Sequence, residues 1–151
     1  MSRLLLTSFA LSALLACSAA SPQPAPLDIG NELCASCRMP VSDASLAAQL
    51  VVPGEEPRFF DDIGCLRDYL SRSPQPRNAA CFVADHRTRA WLGRDAAIYV
   101  RSNIATPMGS HLTAYADKGS AAADPAARTG SLLSAPQVFG PRGAPSTREA
   151  R

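Results

Sequence analysis

The sequence predicts an α+β fold, a small domain built of two loosely repeated ββαβ units. Three observations carry that reading. Short apolar runs of strand length are bounded by Gly, Pro and charged turns. One ten-residue segment, "IGCLRDYLSR", changes to helical spacing. The same order of elements can then be drawn a second time further along the chain.

In the first unit, "SLAAQLVVP" (45–53) reads as a strand, and "GEEP" (54–57) turns the chain into a second strand, "RFF". Asp61 and Asp62 come next, and Ile63, Leu66 and Leu70 then recur on one helical face. An aspartate at such a boundary accepts a bond from an unpaired first-turn N–H, so the helix is expected to start there. "SPQPRN" ends it, and "ACFVAD" is the third strand. In the second unit "RAWL" (89–92) and "AAIYVRS" (96–102) are the expected strands. "HLTAYAD" leads into a weaker helical stretch, "GSAAADPAAR", which Pro125 keeps short, and "GSLLSA" closes the unit. Trp91 is expected in the core.

The ends carry different signals. Arg3 precedes an apolar run, Leu4 to Ala16, which is shorter than the roughly 20 residues a membrane span needs and has the flanks of an export signal. It ends in "LLAC", which resembles the bacterial lipobox, so residues 1–16 are expected to be removed and Cys17 to carry lipid. Several acyl chains make a stable anchor. Ser18, where an aspartate would favour retention at the inner membrane, leans toward the outer one. Residues 17–28 read as a Pro/Ser/Ala linker, 29–134 as the ordered domain, and 135–151 as a disordered tail. Fifteen basic against thirteen acidic residues give a net charge of +2. Losing Arg3 brings that closer to balance, and nothing supports nucleic-acid binding.

The chemistry gathers at "LCASCRMPV" (33–41). Apart from Cys17 the chain has Cys34, Cys37, Cys65 and Cys81, and an even set in an exported protein is first read as disulfides. A Cys65–Cys81 bridge would close a loop of about 15 residues and contribute roughly 3 kcal/mol. A thioether, however, adds nothing to a disulfide, and Met39 follows the CxxC pair directly. Pro40 pushes Met39 into the extended region, where residues two apart share a face. The Cys37 thiolate and Met39 thioether would then converge, with Cys34 able to fold back as a further ligand. Sulfur-only ligation selects soft ions, Cu(I) foremost. Zinc would want four ligands, and this chain has no second CxxC and only His86 and His111.

Other readings stand beside this one. An exported thiol–disulfide oxidoreductase would use the Cys34/Cys37 pair, although no helix begins at the motif as such enzymes require. A purely structural domain would use all four thiols in bridges. Met108, in "TPMGSH", reads on its own as a flexible core filler. Cys65, near the first turn of the predicted helix, is either a thiol activated or made metal-binding by the helix terminus or, more simply, a small buried apolar side chain. Asp61 and Asp62 are caps rather than ligands, because hard carboxylates suit Cu(I) poorly.

Taken together, the lipobox, "CASCRM", "FFDDIGCLRDYL" and "AIYVRSNIATPMGSHLTAYAD" resemble the NosL family of nitrous-oxide reductase accessory lipoproteins, in order and spacing from Leu33 to Ala116. The resemblance implies two related ββαβ units and a periplasm-facing, lipid-anchored protein that is not an enzyme. It also implies a chaperone that binds one Cu(I) and delivers it to the machinery assembling the copper centres of nitrous-oxide reductase. Carried over by position, Cys37, Met39 and Met108 would be ligands, with Cys34 at the first motif cysteine. This chain has Arg38 where the family often has glycine, Tyr115 where phenylalanine is common, and an alanine-rich segment after Lys118 that matches poorly.

Overall fold

The computed structural model describes residues 21–141; the expected signal segment, Cys17 and residues 142–151 lie outside that range. Each element of the first unit stands where the sequence put it. β1 (Ala48–Val51), β2 (Arg58–Phe60), α1 (Ile63–Arg72) and β3 (Ala80–Ala84) follow in order. β1 lies between β2 and β3 and is antiparallel to both.

The second unit repeats this plan with shifted boundaries. β4 (Trp91–Gly93), expected as its first strand, instead pairs antiparallel with β3 and completes a four-stranded sheet, β2-β1-β3-β4. The unit proper is β5 (Ile98–Arg101), β6 (Leu112–Tyr115), α2 (Lys118–Ala123), a 3₁₀ turn (Pro125–Ala127) and β7 (Ser131–Leu133). Its sheet order, β6-β5-β7, again places the first strand in the middle. β6 is the segment "LTAY", which the sequence had suggested as the approach to a helix. All four of its residues are buried, so no alternation marks it as a strand. Pro125 does end α2 early, as expected.

One core serves both units. Leu50, Phe60, Leu66 and Val83 of the first pack in a single cluster with Tyr99, Leu112 and Ala114 of the second. Polar bonds add a second join. Asp85 accepts from the Ala116 N–H at 2.8 Å, and the His86 N–H donates to the Ala114 carbonyl at 2.8 Å. Nearby, Asp124 holds both His86 Nδ1 (2.8 Å) and the Tyr115 hydroxyl (3.1 Å).

Both expected ends of the domain move outward. α3 (Ala135–Phe139) occupies the start of the predicted tail, with Ala135 and Val138 in the core and Phe139 edge-on to Tyr99. A capping box, Ser134 with Gln137, starts this helix. At the other end the buried Gln49 side chain exchanges two bonds with the Ala25 backbone. Ala25 and Leu27 thereby pack beside Trp91 on Val41, Ala47 and Phe59, so the last part of the expected linker is docked on the domain. Trp91 itself is only half-buried.

Candidate metal centre

The CxxC segment forms a tight hairpin. Leu33 and Pro40 bridge antiparallel, the Cys34 N–H donates to the Met39 carbonyl at 2.8 Å, and the Arg38 N–H donates to the Cys34 carbonyl at 2.9 Å. The reversal is completed at Arg38, whose φ of 69° lies in the left-handed region. This changes the sequence reading of Met39. Cys37, Arg38 and Met39 are not three steps along one extended strand, so alternation does not bring the two sulfurs together. Met39 presents its backbone instead: its N–H donates to the Cys37 sulfur, while its side chain is 52% exposed.

The same angle is one that glycine adopts without strain. A side chain in the left-handed region costs about 1–2 kcal/mol, and glycine avoids that cost but loses more entropy on folding. Arg38→Gly is therefore expected to raise stability by about 0.5–1 kcal/mol, read as a higher urea midpoint with an unchanged slope. An unchanged or lower midpoint would show that the arginine side chain offsets its own backbone cost.

Two anchors fix the hairpin to the first sheet. The Ala35 N–H donates to the Phe59 carbonyl at 2.8 Å. Asp61, buried just before α1, accepts from both the N–H (2.7 Å) and the hydroxyl (3.0 Å) of Ser42, beyond the hairpin.

The third thiol comes from α1. Cys65 lies in its first turn, and its sulfur joins those of Cys34 and Cys37, all within 4.8 Å of one another. Metal–thiolate bonds of about 2.3 Å keep two sulfurs on one ion within ~4.6 Å, so the trio needs little movement to share one. Cys65 was read most simply as a small buried apolar side chain. It is buried, but beside two other thiols. No disulfide joins it to Cys81, which lies on β3 opposite Leu50.

The trio shares its protons unequally. Cys34 is pushed down to about 4, chiefly because Cys65 donates to it, and in spite of burial. Backbone N–H groups of Cys37, Asp61 and Ser36 add to the effect. Cys65, as the donor, is held well above the ordinary thiol range, with burial acting in the same direction. The helix terminus therefore does not activate it. Burial also raises Cys37, against the Met39 N–H. Binding a soft cation through all three sulfurs would release the protons that the cluster still holds.

Asp62 brings the second unit to the site. It is the N-cap of α1, where Oδ1 accepts from the Gly64 N–H at 2.6 Å. Oδ2 accepts from the Met108 N–H at 3.0 Å and the Ser110 N–H at 3.5 Å, so the "PMGS" loop hangs on the cap of the helix that carries Cys65. The approach is close enough to require glycine, since a Cβ on Gly64 would lie 2.7 Å from that of Ser110. Met108 thus lines an open cavity of about 320 Å³ together with Cys37 and Cys65. Read alone as a core filler, Met108 is in fact 49% exposed. His111 faces elsewhere, with Nδ1 bonded to the Ile104 carbonyl at 2.8 Å.

Among the described residues no helix is long and apolar enough to cross a membrane. A protein-family model described as NosL matches residues 26–139, a span that includes both the docked end of the linker and α3. No curated protein matches the chain.

Proposed function

Because the chain belongs to the NosL family, we propose that it is a lipid-anchored Cu(I) chaperone, not an enzyme, supplying copper for assembly of the copper centres of nitrous-oxide reductase. The observation that carries this reading is the three-thiol cluster beside an exposed methionine. Soft sulfur donors select Cu(I), and among the described residues neither His86 nor His111 joins the cysteine cluster to complete a zinc set. In this reading Cys34, Cys37 and Cys65 form the inner set. Met108 and Met39 are weaker donors at the mouth that an incoming acceptor ligand can replace one at a time. Copper is cargo, passed by ligand exchange without release of a free ion. Cys17 carries the anchor, which holds the domain at the periplasmic side of the envelope, with Ser18 favouring the outer membrane.

An anaerobic Cu(I) competition titration tests this on protein lacking the signal and Cys17. One saturable site is expected, weakened in Cys37→Ser and to a smaller degree in Met39→Ala and Met108→Ala. Wild-type affinity in all three variants would end the reading. Thiol–disulfide exchange that survives Met39→Ala, in protein that takes up no copper, would favour the oxidoreductase instead.

A further inference from the structure

The mouth of the cysteine cluster differs in composition from the rest of the described surface. The exposed large apolar side chains are Ile29, Leu33, Met39, Met108 and Leu132, and four of these five lie on or beside the CxxC hairpin or on the loop facing it. Scattered exposed apolar residues need no explanation, but a concentration around a functional site does. Met108 is the one of them that lines the cavity, and positive charge stands beside it. Arg67 and Arg72 line the same cavity as Cys37, Cys65 and Met108. Arg38 adds a third guanidinium from the hairpin itself, exposed and with no ion pair among the described residues. Asp68, paired with Arg67 at 2.9 Å, is the one carboxylate lining that cavity. Asp28 and Glu32 flank Ile29 and Leu33, so the excess is confined to the cavity itself, where Arg67 and Arg72 face one carboxylate. Methionine and arginine around an apolar centre are what interfaces enrich.

We propose that this face is the docking surface for the copper acceptor, and that the acceptor is a protein with an apolar centre ringed by carboxylates. The proposal rests on the chaperone reading, since ligand exchange requires the acceptor's own donors to reach the sulfurs. A second copy of this chain is the poorer fit, since it would bring no carboxylate excess to Arg67 and Arg72. A lipid surface is a poor fit, because the face carries none of the Trp or Tyr that favour the interface and a bilayer would cover the ligands. Arg38 then has a reason to occupy a costly left-handed position: from the hairpin it offers such a carboxylate an exposed guanidinium.

The test uses the Cu(I)-loaded full chain and two synthetic acceptor peptides sharing one Met/Cys copper motif, one flanked by glutamates and one by lysines. Transfer is followed anaerobically by stopped flow. The Glu-flanked peptide is expected to take copper at least about tenfold faster at low salt, and the ratio should collapse toward one in roughly 0.5 M salt. In Arg38→Gln combined with Arg67→Gln the ratio should also fall, a comparison internal to each protein and independent of its affinity. Equal rates for both peptides overturn the proposal. So does transfer blocked by phosphatidylglycerol vesicles that co-sediment with the protein, or by its dimerisation, since each would put another occupant on the face. Failure of the wild type to hold Cu(I) would instead bring down the chaperone reading beneath it.

Discussion

Cys65→Ser is expected to lower Cu(I) affinity by about 100-fold or more, a larger loss than either methionine variant. Outer groups that only orient a ligand typically cost 10–100-fold when removed, and a buried sulfur within 4.8 Å of two others is placed to bond the ion itself. A serine oxygen of similar size leaves the fold in place but offers a hard donor where a soft one is needed. Cys81→Ser, on β3 and outside the trio, is the control and should bind as wild type. The measurement is the same competition titration, with circular dichroism to establish that both variants fold. Wild-type affinity in Cys65→Ser, alongside a clear loss in Cys37→Ser, would make Cys65 a buried bystander. A copper–sulfur absorption signature that weakens in Cys65→Ser but not in Cys81→Ser would place the sulfur on the metal directly.

That prediction also marks how far the sequence reading reached. Local signals were legible because they are local: the aspartate before an apolar helical face, the GEEP turn and the CxxC spacing all act within a few residues. The α+β architecture and its repeated ββαβ order followed from them. Cys65 was visible as a cysteine at a helix start, but its partners lie about thirty positions earlier in the chain, and only the packing of α1 against the hairpin joins them. The extended path expected through Met39 failed for a different reason. Its geometry rested on Pro40 alone, and the left-handed φ at Arg38 is a property of the closed hairpin rather than of the residue. β6 was hidden by its own burial, since a strand covered on both faces shows no period of two. α3, by contrast, was announced: Ser134 with Gln137 three residues on is a capping box followed by apolar residues, and the Pro- and Gly-rich composition around it obscured the signal.

Asp62→Ala is expected to destabilise the domain by about 3 kcal/mol, combining a lost helix cap of about 1 kcal/mol with backbone donors left unpaired in the interior at about 1–3 kcal/mol. No single-residue change elsewhere at the site is placed to do both, because this fully buried carboxylate holds α1 with one oxygen and the Met108 loop with the other. Asp62→Asn should recover little of the loss. Both oxygens face N–H donors, and the amide would set its own donor against one of them. The carboxylate is also legible in the pH dependence. Burial acts to raise Asp62, yet the bonds from Ser110, Thr106, Gly64 and Met108 more than offset it and hold the group below its ordinary range. A folded-state value below the unfolded one near 3.9 means that the stabilisation is present in full above that pH and is lost as pH falls toward the folded value. Asp85 and Asp124 are lowered as well and contribute in the same sense. Urea unfolding of the wild type should therefore show a midpoint that falls steeply below about pH 4, on top of the slope that the lowered Cys34 thiol adds between about pH 4 and the ordinary thiol range. In Asp62→Asn the midpoint should start lower and fall less steeply, because one of the titrating groups has been removed. Equal slopes in the two proteins would show that Asp62 carries no linked proton. A loss of stability well under 1 kcal/mol in Asp62→Ala would show that the Met108 loop is held in place without it, and with that the route by which the second unit reaches the cysteine cluster would have to be sought elsewhere.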